Sequence, residues 1–117
     1  MSATHDWNDV ASSLGTAMKP LRGGAPDTMS AFSALAKAAL EPRALDTKTK
    51  ELIALAISVA TRCDGCIAFH AQAAVKMGAT RDEVMETMGM AIYMGAGPSV
   101  MYAAQALEAF DQFAQKT

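Results

Sequence analysis

The chain has little of what many functional classes require. Its 117 residues carry no cluster of basic side chains and a formal net charge of −2, which argues against nucleic acid as a partner. The opening stretch Met1–Asp9 lacks the basic-then-apolar pattern of a signal peptide. The apolar run Leu52–Ala60 is far short of a membrane span. A later run, Gly89–Ala104, is interrupted by Gly95, Gly97 and Pro98 and reads as two buried helix ends. No membrane association and a cytoplasmic location are therefore expected. Low-complexity segments, linkers and short-period repeats are also missing, so residues 1–117 read as a single domain. Alternation of period two, the mark of half-buried strands, is nearly absent.

What remains is helical spacing from end to end, and the fold class is all-α. Trp7, Val10, Leu14 and Met18 form one apolar stripe, giving a first helix from about Thr4 or Asp6 that Pro20 and Gly23-Gly24 end. Pro26 and Asp27 suit the first turn of a second helix, with Phe32, Leu35, Ala36 and Ala39 as its buried face and Pro42 beyond its end. Asp46 is a natural N-cap for a third helix, apolar nearly all round from Leu52 to Ala60. A fourth runs from the cysteines to Met77, and Gly78 caps it. Thr80 and Glu83 have capping-box spacing for a fifth, whose inner face is Val84, Met88 and Ile92. Gly95-Ala-Gly97-Pro98 breaks the chain before a last helix with Val100, Ala104, Leu107 and Ala114 spaced for packing. The expectation is a compact bundle of about six helices around a central Cys-bearing helical hairpin.

Apolar residues make up 51% of this short chain, more than a small domain can hide alone. A homo-oligomer whose interface completes the core is expected. The nine methionines, among them Met85, Met88, Met90, Met94 and Met101, read first as core filler and second as the lining of an apolar channel beside the cysteines.

The chemistry lies between Glu51 and His70, in ELIALAISVATRCDGCIAFH. Cys63 and Cys66 form a Cys-x-x-Cys pair, and His70 follows Cys66 by four residues. In a helix starting near Cys63 these three side chains, with Ile67, Ala74 and Met77, fall on one stripe, so the reactive groups share the buried face. A thiol reacts as its thiolate, which a helix N-terminus and a neighbouring imidazolium both favour. Cys66 is the better placed for His70 and is assigned as the attacking thiolate, with His70 as its base or proton relay. Cys63 is the second thiol, able to donate a proton to the leaving alcohol and then close a disulfide on a Cys66 sulfenic acid. Glu51 lies twelve residues before Cys63. An antiparallel hairpin returns it to the level of His70, where a carboxylate would orient the imidazole; the other reading pairs it with Lys48 on the surface.

Other readings of the pair are open. A zinc site could use Cys63, Cys66 and His70, but no convincing fourth ligand is present, His5 being remote. A c-type haem would need histidine where Ile67 stands. Inert cysteines packed in a helical core are the plain alternative. Gly95-Ala-Gly97 is no phosphate loop, since no strand precedes it and no lysine follows. No cofactor is expected.

Glutamate, eleven residues, Cys-x-x-Cys, three residues and histidine, followed by the turn Met77-Gly78-Ala79-Thr80, resembles the alkylhydroperoxidase D-like group of the carboxymuconolactone decarboxylase superfamily. The likeness spans about Asp46–Gly97. It implies an all-helical fold in an obligate oligomer, a trimer or a hexamer. It implies thiol-dependent reduction of hydroperoxides, with electrons from a lipoyl-type dithiol or a partner protein. Cys66 would then be the peroxidatic thiol, Cys63 the proton donor and disulfide partner, and Glu51 and His70 the proton relay. The best-known members carry a second histidine inside the pair, where this chain has Gly65. Members acting as lactone decarboxylases generally lack the thiol pair. Two further expectations stand beside this one. The first is a decarboxylase or isomerase on a small cyclic acid, using His70 and Glu51 as acid and base. The second is a non-catalytic assembly module.

Overall fold

A computed structural model describes residues 2–116. Five helices follow one another in it: α1 Trp7–Gly24, α2 Pro26–Leu40, α3 Thr47–Ala60, α4 Asp64–Lys76 and α5 Arg81–Ala114. Among the described residues there is no strand. The caps are those the sequence predicts. The side chains of Asp46 and Thr80 accept the backbone N–H of Thr49 and Glu83, and Glu83 reaches back to the Thr80 N–H to complete a capping box. Gly78 takes the left-handed conformation (φ 82°) that ends α4, a geometry glycine adopts without cost.

Helices α3, α4 and α5 pack on one another most extensively. Leu55, Val59, Ile67 and Val84 are completely buried between them, each contributing about 1.5–3 kcal/mol by leaving water. Trp7, also fully buried, ties α1 onto this core. Its indole Nε1–H donates to Glu108 Oε1 at 2.9 Å and its backbone N–H donates to Gln112 Oε1 at 2.7 Å.

Three expectations about these helices are corrected. Pro20 does not end α1, which runs on to Gly24. Proline removes one hydrogen bond to the preceding turn but leaves the following N–H groups free to bond, and the Ala25 N–H still reaches Leu21 O at 2.8 Å. The expected break at Gly95–Pro98 is present: the fifth and sixth helices meet end to end as the two halves of α5, where Ala96 alone leaves helical geometry (φ 56°, ψ −143°). Past this kink the inward face is not Val100 and Ala104, which are exposed, but Ser99, Ala103, Ala106, Phe110 and Phe113. The kink resets the phase of the stripe, and small residues let α5 approach its neighbours closely. Of the methionines expected in the core, Met88 is buried, while Met85, Met90, Met94 and Met101 are exposed.

The largest correction concerns α2. It buries no residue, and Phe32 and Leu35 are 62% and 63% exposed. The chain presents 7312 Å² of accessible surface. A compact monomer of its 12.2 kDa mass presents about 6,100 Å². The apolar stripe of α2 is where the sequence places it, but among the described residues nothing covers Phe32 and Leu35, and Ala36 and Leu40 are only partly buried, toward α3.

Candidate active site

The site is built at one end of the α3–α4 hairpin. Helix α3 stops at Ala60, and the chain turns through Thr61 and Arg62 before α4 begins. Arg62 holds a left-handed conformation (φ 57°), which lets the turn close; the Cys63 N–H then reaches Ser58 O at 3.1 Å. Cys63 is the N-cap of α4, its Sγ accepting the Cys66 backbone N–H at 3.1 Å. Cys63 and Cys66 are joined as a disulfide, their Cα atoms 5.2 Å apart. The sulfurs thus sit where unpaired helix N–H groups and the helix dipole favour negative charge, which stabilises a thiolate after reduction. Asp64 in the same turn opposes this effect in part.

His70 lies one turn beyond Cys66 on α4. Its Nδ1 is 2.7 Å from Glu51 Oε1, across the hairpin from the first turns of α3. Glu51 is buried, with 7% of its side chain exposed, whereas His70 is 34% exposed. An ionised carboxylate can only accept, so Nδ1–H donates, which leaves Nε2 as the acceptor of a neutral ring. Lys48, the other candidate partner of Glu51, pairs instead with Glu83 at 2.9 Å. The Thr80 N–H, and after it this contact, hold the Glu83 carboxyl below its ordinary range, and Glu83 in turn raises Lys48.

The buried face of α4 is Ile67, Ala68, Ala71 and Ala74, so of the expected stripe Ile67 and Ala74 are buried and the reactive groups are not. Cys63, Cys66 and His70 stand half-buried at its edge, and Met77 is exposed. The helix begins after Cys63, which turns the stripe toward the rim. His70 opens on an apolar cleft of about 330 Å³ between α2 and α3, walled by Ala36, Leu40, Ile53 and Ile57 with Lys50 at its edge. The Lys50 ammonium donates to Glu41 O at 2.6 Å.

Two features of the site were not legible in the sequence. His5 is not remote: its Nε2 lies 3.5 Å from Asp64 Oδ2, inside the Cys-x-x-Cys segment, and its ring leans on Trp7 at 4.5 Å. No local pattern marks a contact between the two ends of such a separation. Gly65 faces α1: a Cβ there would meet the tip of the Leu14 side chain, Cδ1, at 2.7 Å, so a larger residue at this position would have to move that partly exposed side chain. Among the described residues, no three His, Cys, Asp or Glu side chains converge as a metal site, and no helix is long and apolar enough to cross a membrane.

A family model described as the carboxymuconolactone decarboxylase family matches residues 26–109, which include the entire hairpin. The chain belongs to the carboxymuconolactone decarboxylase family. Within it, a crystal structure of a family member from Legionella pneumophila, in its apo form, is 53% identical. The alignment covers 92% of this chain and 96% of that one, with a TM-score of 0.90. A Thermotoga maritima member, with a suggested involvement in antioxidative response, is 27% identical over 95% of this chain and 92% of its own, with a TM-score of 0.75. An uncharacterised Haemophilus influenzae protein is 43% identical over 90% of this chain and 93% of its own length.

Proposed function

We propose that this carboxymuconolactone decarboxylase family protein is a thiol-dependent peroxidase or disulfide oxidoreductase that reduces hydroperoxides. The observation that carries the reading is the 2.7 Å contact between His70 and the buried Glu51, one helical turn from a Cys-x-x-Cys disulfide at a helix N-terminus. The suggested antioxidative involvement of the Thermotoga relative supports it.

The steps balance as follows. In the reduced protein the Cys66 thiolate attacks the terminal oxygen of ROOH and breaks the O–O bond. Cys66 becomes a sulfenic acid, and the leaving alkoxide takes a proton from Cys63 or the His70 imidazolium, releasing ROH. The Cys63 sulfur then attacks Cys66, expelling water and closing the disulfide. A dithiol of lipoyl type, or a protein dithiol, restores the two thiols by exchange and is itself oxidised to a disulfide. Glu51 fixes the tautomer and orientation of His70. The working form is a homo-oligomer, a trimer or a hexamer, in which the face of α2 is covered.

Hydroperoxide consumption by the reduced protein with a dihydrolipoyl-type dithiol, measured beside Cys66→Ser, tests the reading. Turnover in the natural chain and none in the variant is the expected result. A disulfide that forms and is reduced readily without peroxide turnover would leave a dithiol oxidoreductase. Turnover of a small cyclic acid that survives Cys66→Ser would replace both with acid–base chemistry at His70 and Glu51.

A further inference from the structure

Three clefts open along α3, and Ile57 borders each of them. One holds His70 and belongs to the site already described. The largest, about 440 Å³, lies on the other side of the Ile57 ridge and shares none of the four site residues. Its apolar walls include Ile57 and Ala60 of α3 and Met90 and Met94 of α5, and its charged or hydroxyl-bearing lining groups are Arg62 and Ser99. This volume is ordinary for a small-molecule site, as is an apolar wall with few polar groups.

Both polar groups lack partners. Among the described residues the Arg62 guanidinium makes no ion pair or hydrogen bond, and neither does the Ser99 hydroxyl, although Ser99 is only 5% exposed. The hydroxyl oxygen is not sealed off, since the fully buried side-chain polar atom without a partner among the described residues is Gln105 Oε1. Ser99 lines the cleft and its hydroxyl opens there. The backbone is arranged to keep it there. A Cβ at position 95 would lie 1.9 Å from Ser99 Oγ, so the hydroxyl occupies the space that Gly95 leaves. Arg62, which lines the cleft at the end of α3, and Ala96, which follows the lining residue Gly95 at the kink of α5, are the two non-glycine residues with positive φ among those described. Such conformations persist where the surroundings impose them, and they concentrate at ligand clamps.

We propose that this cleft binds an amphipathic monocarboxylate, a small acid with an apolar chain. The chain lies against Ile57, Met90 and Met94. The carboxylate accepts from the Arg62 guanidinium and from the Ser99 hydroxyl, neither of which has a protein acceptor among the described residues. The carboxylate end lies beside the turn that carries Cys63, yet binding requires neither thiol and does not depend on peroxidase activity.

The full chain with methyl-labelled methionine, titrated with octanoate and separately with octanol, tests this by NMR. Octanoate should shift the methyl signals of Met90 and Met94 saturably while leaving Met18 in place. Octanol, and octanoate with Arg62→Gln, should each bind about tenfold more weakly, the usual loss when a charged hydrogen bond is removed. Ser99→Ala should weaken octanoate without affecting octanol. Gly95→Ala, which crowds the hydroxyl, should abolish octanoate binding; if that variant misfolds, Arg62→Gln and Ser99→Ala decide alone. Equal affinity for octanoate and octanol would show a greasy surface and overturn the proposal. So would an unchanged octanoate affinity in Arg62→Gln. Met90 and Met94 signals that respond to protein dilution and not to octanoate would show that a second copy fills the cleft, which also overturns it.

Discussion

His70 and Glu51 meet at 2.7 Å, nineteen residues apart in sequence and on facing helices, with the carboxylate on the buried side of the imidazole. A buried carboxylate needs such a partner, and a half-exposed imidazole so held keeps a defined tautomer. Glu51→Gln preserves shape but removes the carboxylate that holds the imidazole Nδ1. The expected outcome is a fall in kcat for hydroperoxide of roughly a hundredfold, the usual scale for losing a positioned acid–base group, with little change in thermal midpoint. An unchanged kcat would remove the relay from the mechanism.

The two cysteines have different surroundings, and this predicts different failures. Cys63 caps α4 through its sulfur, while Cys66 donates its backbone N–H to that sulfur and precedes His70 by one turn. With Cys63→Ser, one equivalent of hydroperoxide should leave a Cys66 sulfenic acid, seen by mass spectrometry as one added oxygen and trapped by a sulfenic-acid-selective nucleophile. Cys66→Ser should give no such species. The opposite pattern would exchange the roles of the two thiols.

Local signals carried well into three dimensions. Asp46, Thr80 and Gly78 do at the helix ends what their chemistry dictates, and the break near Gly95 is present as the Ala96 kink. The pairing of Glu51 with His70 was one of two readings that the spacing left open, the other being Lys48; the family resemblance favoured it, and a hairpin of two regular helices brings the two residues to one level. Burial was less legible. Periodicity shows that a face is apolar and not what covers it, so the stripe of α2 and the phase of α5 beyond the kink were both misread. Contacts between chain ends, such as Trp7 with Glu108 or His5 with Asp64, leave no trace in any window of sequence.

The Glu108 anchor makes the N-terminal attachment sensitive to acid. Partial burial pushes its carboxyl up, but hydrogen bonds from the Thr4 hydroxyl, the Trp7 indole and the Thr4 and His5 backbone outweigh this, and the net shift is downward. A carboxyl lowered in the folded state contributes stability that is fully present above its ordinary value and is lost as pH falls through the lowered one. Trp7 is the only tryptophan, so its emission reports this contact directly. The emission should move to longer wavelength as the pH drops below the ordinary glutamate range. Glu108→Ala should cost about 1–3 kcal/mol at neutral pH, because a buried indole N–H loses its acceptor. Emission in Glu108→Ala with the same acid dependence as the natural chain would show that another group controls the anchor.

The exposed face of α2 predicts assembly. Phe32 and Leu35 stand side by side on a helix that buries nothing, and the accessible surface exceeds that of a compact 12.2 kDa monomer by about a fifth. Exposed apolar area of this kind is costly in water and marks contacts between subunits. Sedimentation should therefore give a particle mass three or six times that of the chain. The double variant Phe32→Glu, Leu35→Glu places two charges on the face and should sediment at 12.2 kDa with its helix content kept, because these side chains support nothing within their own subunit. A natural chain that sediments as a monomer would leave α2 as a free surface. A double variant that stays assembled would move the interface to the other exposed apolar residues, Tyr93, Met94 and Met101 on α5.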